Sequence, residues 1–296
     1  MELLRTMLFV PGNRSRMIEK AAVLDPDALI FDLEDAVPPA EKPTARRMVR
    51  ETMERGAFDR FRVYVRVNAV STGLLADDLR SVVCSHLDGI VLPKVESRED
   101  VEEADRLLAQ GEARQGLETG RTRILPIIET VRGVLGLPGV AGCHPRLVGL
   151  CYGAEDFATD LGVERSRDGT EGFYPRVQVA LYARLTGVAA LDSVFSDVKD
   201  EEGLEKDALL AKQLGFRGKL LIHPSQIPVV TRIFTPSDQE IERARRNVAA
   251  YDEAEARGEA SVTVDGKMVD IPIAERARSL LAMAEAISDR QSAIAG

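Results

Sequence analysis

Tryptophan is absent from the 296 residues, and aromatic side chains make up only 5%. That argues against a surface that stacks nucleic-acid bases on aromatic rings. Basic excess is missing too: 39 Lys and Arg against 48 Asp and Glu give a formal charge of −9. Neutralising a phosphate backbone or an anionic bilayer needs a basic face, so neither nucleic acid nor membrane is expected as a partner. No apolar run approaches the roughly 18 residues of a membrane span. Met1-Glu2-Leu3-Leu4-Arg5 also lacks the basic and long apolar segments of a secretion signal. The cysteines Cys84, Cys143 and Cys151 are odd in number and have no CxxC spacing. They read as reduced structural thiols of a cytoplasmic protein, not as a zinc site. A small anionic ligand remains open, because a pocket can be locally basic.

What is present is globular: 45% hydrophobic and 29% charged residues, enough for a large core. Short apolar, β-branched runs recur at 7–10, 28–33, 62–67, 89–95, 124–129, 147–152, 189–195 and 219–222. Several are apolar almost throughout, as strands buried on both faces must be. Charged amphipathic stretches lie between them, at 14–24, 41–55, 98–110 and 203–214. Eight strands alternating with helices predict an α/β fold, a parallel (β/α)8 TIM barrel over residues 1–235. A doubly wound open sheet is the competing architecture, weakened by the lack of GxGxxG after the first strand. Residues 236–296 differ. A Pro236-Ser237-Asp238 cap signal opens a charged helix to Arg257, a hairpin follows over 262–270 with Asp265-Gly266 as its turn, and a helix spans 273–287. This C-terminal hairpin-plus-helix extension is expected to be a lid, an oligomer contact or both.

A barrel of this kind carries its chemistry at the C-terminal ends of its strands. Those ends read Phe9-Val-Pro-Gly-Asn-Arg14, Asp32-Leu-Glu34-Asp35, Arg66-Val-Asn68, Pro93-Lys94, Glu129-Thr130, Gly153-Ala-Glu155-Asp156, Asp192 with Asp197, and His223-Pro224. They are rich in carboxylates and poor in histidine. That donor chemistry suits a hard divalent cation, Mg²⁺ first and Mn²⁺ second. Glu129 and Asp156 end neighbouring strands and form the best pair, although each could instead cap the helix that follows. Glu155 rivals Asp156, and strand alternation would put one of the two outside the barrel.

Arg66 suits a substrate carboxylate, with an ion pair to Glu34 or Asp35 as the equal alternative. Lys94, among so many carboxylates, should stay protonated rather than form a Schiff base. His223 reads as a cap or core hydrogen bond more readily than as a ligand contact, and His86 and His144 as loop or surface residues. Residues 1–20 are locally basic through Arg5, Arg14, Arg16 and Lys20, against Glu2 and Glu19. There Gly12-Asn13 reads as a flexible turn at a helix start, a weak phosphate signal. Pocket shape around Leu150, Val194 and the lid would select the substrate.

Eight segments in order resemble the citrate lyase β-subunit-like, malyl-CoA and citramalyl-CoA lyase family of the HpcH/HpaI aldolase superfamily. They are Leu8-Phe-Val-Pro-Gly-Asn-Arg14, Asp32-Leu-Glu-Asp-Ala-Val37, Val65-Arg-Val-Asn68, Leu92-Pro-Lys-Val95, Pro126-Ile-Ile-Glu-Thr130, Gly153-Ala-Glu-Asp-Phe157, Gly218-Lys-Leu-Leu-Ile-His-Pro-Ser-Gln226 and Asp265-Gly-Lys-Met-Val-Asp270. The resemblance implies a homotrimer or hexamer of TIM barrels that binds Mg²⁺ and an acyl-CoA thioester. It implies metal ligation by Glu129 and Asp156, with Glu129 also at the substrate. Arg66 would hold the substrate's carboxylate or carbonyl end, and Phe9, Arg14 and Lys20 would contact CoA. Asp270 would act as the acid/base residue in a neighbouring subunit's site. The implied reaction is reversible cleavage of a 3-hydroxy-3-carboxy acyl-CoA to acetyl-CoA and a 2-oxo acid. A citrate lyase β subunit acting on a carrier-protein thioester, a malyl-CoA thioesterase, a CoA-independent aldolase and a non-enzymatic scaffold stand as alternatives.

Overall fold

The computed structural model describes residues 3–295, the side chains of 293–295 excepted. Met1, Glu2 and Gly296, the outermost residues of the two expected segments, lie outside the described residues. The chain divides into two compact units, one of residues 4–232 and one that begins at Ile233 and takes in the rest of the described C-terminal chain.

In the larger unit the eight apolar runs form eight parallel strands that close on themselves. They are β1 (Thr6–Pro11), β2 (Ala28–Asp32), β3 (Arg62–Arg66), β4 (Gly89–Leu92), β5 (Arg123–Ile128), β6 (Gly149–Tyr152), β7 (Ala189–Asp192) and β8 (Gly218–Leu221). Closure is made by β1 against β8, with Met7 opposite Leu220. The connecting helices are α1 (Ser15–Ala21), α2 (Lys42–Glu54), α3 (Leu75–Val82), α4 (Arg98–Arg114), α5 (Val131–Val140), α6 (Ala154–Leu161), α7 (Phe173–Thr186), α8 (Glu201–Leu214) and α9 (Gln226–Phe234). The fold is the expected TIM barrel.

Strand alternation divides the apolar side chains between two layers. Met7, Ile30, Tyr64, Val91, Ile127, Cys151, Leu191 and Leu220 fill the barrel interior as one buried cluster. Their strand neighbours face the helices. Leu150 is one of these: it is fully buried but stands outside the interior cluster. The expectation that Leu150 shapes the pocket is therefore corrected by alternation from Cys151. All three cysteines are free.

The barrel wall also buries charge, and does so in pairs. Arg146, 1% exposed, donates Nη1 and Nη2 to Glu112 on α4 at 2.7 and 2.8 Å, and Nε to Asp105 at 2.6 Å. Burial alone would raise the Glu112 carboxyl. The guanidinium and the N–H groups of Thr122 and Gly120 overcome it and hold the pKa at about 2. Elsewhere in the wall, fully buried Asp192 pairs with Arg176 and with the equally buried Lys219, and both cations also reach Asp207. Asp192, read from sequence as a strand-end group, is thus committed to the barrel wall.

In the smaller unit, α10 (Asp238–Ala256) opens with the expected cap, Ser237 N–H donating to Glu240 at 2.8 Å. The hairpin β9 (Ser261–Val264) and β10 (Lys267–Asp270) turns through Asp265 and Gly266, with φ of 50° and 74°. Two positive φ values define the type I′ turn that matches strand twist. Tyr251, Val269 and Ala274 form this unit's own small core, α11 (Ile271–Ala295) supplying the last of them.

Replacing Glu112 by Ala leaves the buried Arg146 charge half-compensated. The variant should lose about 3 kcal/mol of unfolding free energy at pH 7, read by urea denaturation. A loss within a few tenths of a kcal/mol would show that this pair does not staple α4 to the barrel.

Candidate active site

The last residues of β2 and β3 sit opposite each other in the ladder, Asp32 beside Arg66. That register makes a two-pronged pair: Arg66 Nε donates to Asp32 Oδ1 at 2.7 Å and Nη2 to Oδ2 at 2.6 Å. The same carboxylate accepts the N–H groups of Glu34 and Ala36 at 2.9 and 3.2 Å, shaping the turn that carries the next two acids. Arg66 Nη1 then lies 3.1 Å from Glu34 and 3.3 Å from Asp35. Its guanidinium stacks over the Phe9 ring at 4.8 Å. Burial opposes the charge on Arg66, but Asp32, Glu34 and Asp35 outweigh it and raise the pKa further. The two sequence alternatives for Arg66 are both partly realised, yet its main partner is Asp32. Parallel strand ends meeting in register were the signal for that contact.

Past β4 the backbone turns sharply at Lys94, whose φ is 51°. A side-chain residue is strained there. The turn brings two groups to bear: the Lys94 N–H donates to Glu129 Oε1 at 2.9 Å, and Nζ donates to Glu34 at 2.8 Å. Nζ also lies 3.8 Å from Asp156. Burial works against the Lys94 charge, but Glu34, Asp35 and Asp156 prevail and raise its pKa, so the side chain stays protonated as expected.

Glu129 follows β5 and is 3% exposed. Burial first, then the charges of Asp156 and Glu34, push its pKa up to about 8, against the opposing pull of the Lys94 N–H and Arg66. Gly153 makes room for it: a Cβ at that position would come within 2.5 Å of Glu129 Oε2. Asp156 is not a strand-end residue. It lies with Glu155 in the first turn of α6, so helical rather than strand geometry separates the two. Glu155 is taken by Arg165 at 2.5 Å, while Asp156 stands near Lys94.

Phe9, Asp32, Asp35, Arg66, Glu129 and Asp156 line one cavity of about 500 Å³ at the barrel mouth. Among the described residues no group of three or more His, Cys, Asp or Glu is arranged as a metal site. Two carboxylates suit an ion that keeps water and substrate oxygens in its remaining positions.

Other expected residues lie elsewhere. Arg14 and Lys20 are exposed on the first βα segment. Gly12 is not a flexible hinge: it is packed so that a Cβ would come 2.7 Å from the Asp32 carbonyl, to which its N–H donates at 2.9 Å. Asn68 donates to Asp78 and to the Leu33 carbonyl inside the core. Thr130 accepts the Gly133 N–H as the cap of α5. His223 pairs with Ser225 in an exposed turn. Asp270 ends β10, half-buried, and accepts the Ile273 N–H at 3.3 Å.

A polar mouth that gathers carboxylates around a fixed arginine marks a barrel enzyme. The HpcH/HpaI aldolase/citrate lyase family model matches residues 5–224, and the chain belongs to this family of lyases. It is 39% identical to citrate lyase subunit beta of Haemophilus influenzae over 96% of this chain and 98% of that one. It is 38% identical to the (3S)-malyl-CoA thioesterase of Cereibacter sphaeroides, over 96% and 95% of the two chains. The structure of CitE from Mycobacterium tuberculosis in complex with magnesium, acetoacetate and coenzyme A matches with a TM-score of 0.73. That protein is 34% identical, over 95% of this chain and 98% of that one. Among the described residues no helix is long and apolar enough to cross a membrane.

With its carboxyl raised to about 8, folded Glu129 keeps a proton that the unfolded chain releases near its ordinary value of 4.5. Its contribution to stability therefore falls as pH rises between those values. In a chelator, Glu129→Gln, which keeps the acceptor for the Lys94 N–H, should unfold less readily than the parent at pH 8.5. A gain of a few kcal/mol is expected there, and almost none at pH 5. Equal denaturation midpoints at pH 8.5 would contradict the burial account.

Proposed function

We propose that the chain is a Mg²⁺-dependent lyase that cleaves, or in reverse forms, a 3-hydroxy-3-carboxy acyl-CoA such as citramalyl-CoA or malyl-CoA. The products of cleavage are acetyl-CoA and a 2-oxo acid. The observation that carries the reading is one cavity holding two carboxylates for a hard cation, Glu129 and Asp156, beside an arginine fixed by Asp32. The magnesium and coenzyme A of the CitE complex support it.

Glu129 and Asp156 fit the ion by donor type and count. When bound, Mg²⁺ supplies Lewis-acid polarisation of the substrate's hydroxyl or carbonyl oxygen. Ion binding asks Glu129 to surrender the proton that burial favours. Asp32 occupies Nε and Nη2 of Arg66, and Glu34 and Asp35 stand 3.1 and 3.3 Å from Nη1; the substrate carboxylate, and the charge that develops on the reacting oxygens, meet this Nη1 edge in exchange for those two acids. Phe9, under the guanidinium, excludes water from that edge. We assign contact with CoA to the exposed Arg14 and Lys20, and acid–base work to Asp270 of a second copy in a homotrimer or hexamer. In cleavage Asp270, entering as the carboxylate, takes the hydroxyl proton, the O–H bond pair becomes the C=O of the 2-oxo acid as the C–C bond pair passes to the thioester enolate, and Asp270 returns that proton to the emerging methyl carbon.

A second reading, hydrolysis of the thioester, is favoured by the malyl-CoA thioesterase relative. Action as a citrate lyase β subunit on a carrier-protein thioester is favoured by the citrate lyase relative. Purified chain with Mg²⁺ and free citramalyl- or malyl-CoA separates the three by mass spectrometry of the products. Acetyl-CoA with pyruvate or glyoxylate is expected. Free CoA with intact hydroxy acid would indicate hydrolysis, and turnover of the carrier-protein thioester alone would make the chain a subunit. Asp270→Ala should lose cleavage by 10²-fold or more while Mg²⁺ and CoA binding, read by calorimetry, stay unchanged. Full turnover by that variant removes Asp270 from the mechanism.

A further inference from the structure

A second cavity, of about 910 Å³, opens beside the first, between the ends of β6 and β7 and the segments 162–172 and 193–200 that follow them. Tyr152, Ala154, Glu155 and Ser193 line both cavities, so the two share a wall. Arg165 closes that wall from the second side, donating to Glu155 at 2.5 Å and to the Val194 carbonyl at 3.1 Å.

The floor of this cavity holds a donor with no acceptor. Cys151 faces the barrel interior, so alternation turns Tyr152 outward. Tyr152 is 1% exposed, and its hydroxyl has no hydrogen-bond partner among the described residues. Gly172, at the start of α7, admits it: a Cβ there would come 2.5 Å from Tyr152 Oη. Burial first, then the charge of Asp192, raises the Tyr152 pKa, so the hydroxyl keeps its proton. A buried hydroxyl left without a partner is unfavourable.

Two positive features meet the same floor. Arg176, in the first turn of α7 and buried, donates through Nε and Nη2 to Asp192 and Asp207. Its Nη1 donates to none of the described residues. The helix itself begins with no side-chain cap and no acid in its first turn, which leaves the positive end of its dipole uncompensated. Phenol, guanidinium and helix end together favour a negatively charged acceptor.

The remaining lining limits that charge to one. Asp192 and Asp207 already balance Arg176 and Lys219, Glu155 pairs with Arg165, and Asp200 with Arg167. Glu164, Glu171 and Asp197 then outnumber Lys199. Such a rim repels a doubly charged ion but accepts hydrogen bonds from hydroxyl groups.

We propose that the second cavity binds a hydroxylated monocarboxylate, with its carboxylate on the Tyr152 hydroxyl and Arg176 Nη1 and its hydroxyl groups toward the acidic rim. This ligand lies behind the Arg165–Glu155 pair, outside the cavity at the barrel mouth, and its binding does not depend on the lyase reading.

The test uses the full-length protein in a chelator, with lactate, propionate and inorganic phosphate as probes in ligand-observed NMR titrations. Lactate should bind at least about threefold more tightly than propionate or phosphate. Tyr152→Phe should weaken lactate binding about fivefold, and without lactate it should unfold at the same or a higher urea concentration than the parent, because it removes an unmet hydroxyl. Crystals soaked in lactate should show the carboxylate within hydrogen-bond distance of Tyr152 Oη and Arg176 Nη1. Phosphate bound more tightly than lactate would overturn the single charge. Lactate affinity unchanged in Tyr152→Phe would place the probe elsewhere, at Arg66 for example, and overturn the site. A variant less stable than the parent without lactate, or ordered water alone on Tyr152 at saturating lactate, would overturn it equally.

Discussion

The pair between Asp32 and Arg66 organises the site. Two parallel strands end in register, one on a carboxylate and the other on a guanidinium, and the geometry of each fork fits the other. Everything on that side of the mouth follows from it. Asp32 caps the turn that presents Glu34 and Asp35, and Glu34 in turn holds Lys94. Lys94, through its backbone N–H, steadies Glu129. One chain of charge-assisted contacts therefore runs from β2 to β5 around the barrel mouth.

That chain ends on a carboxyl group that burial keeps protonated in the free protein. Glu129 is buried beside Asp156 and Glu34, and its raised pKa records how poorly the ligand-free site tolerates all these anions together. The strained backbone at Lys94 and the missing side chain at Gly153 are the local means of keeping it there. Such an arrangement costs stability in the free protein and is relieved when a cation arrives, which is the usual sign of a functional site rather than a structural one.

Much of this was legible in the sequence, for stated physical reasons. Strands buried on both faces are nearly continuous apolar runs, so all eight appeared. Their C-terminal ends were overrun, to Val95 and Phe195 where the ladders stop at Leu92 and Asp192, because the loops at the mouth stay buried and apolar. Glu129, Asp156, Arg66 and Phe9 come together as read, since all occupy the same end of the barrel. What stayed hidden needed register or backbone geometry: the Asp32 partner of Arg66, the positive φ of Lys94, the helical setting of Asp156, and the outward face of Leu150. Asp192 misled for a related reason, since a strand-end carboxylate and a wall-packed one look alike until alternation is fixed.

The central claim is that Glu129 exchanges a proton for a divalent cation held with Asp156. Calorimetric titration of the protein with Mg²⁺ at pH 7, repeated in buffers of different ionisation enthalpy, counts the protons released on binding. Release of about one proton per chain, falling toward zero above pH 9, is the predicted result. Mg²⁺ binding at pH 7 without proton release, or binding undiminished in Glu129→Gln, would contradict it.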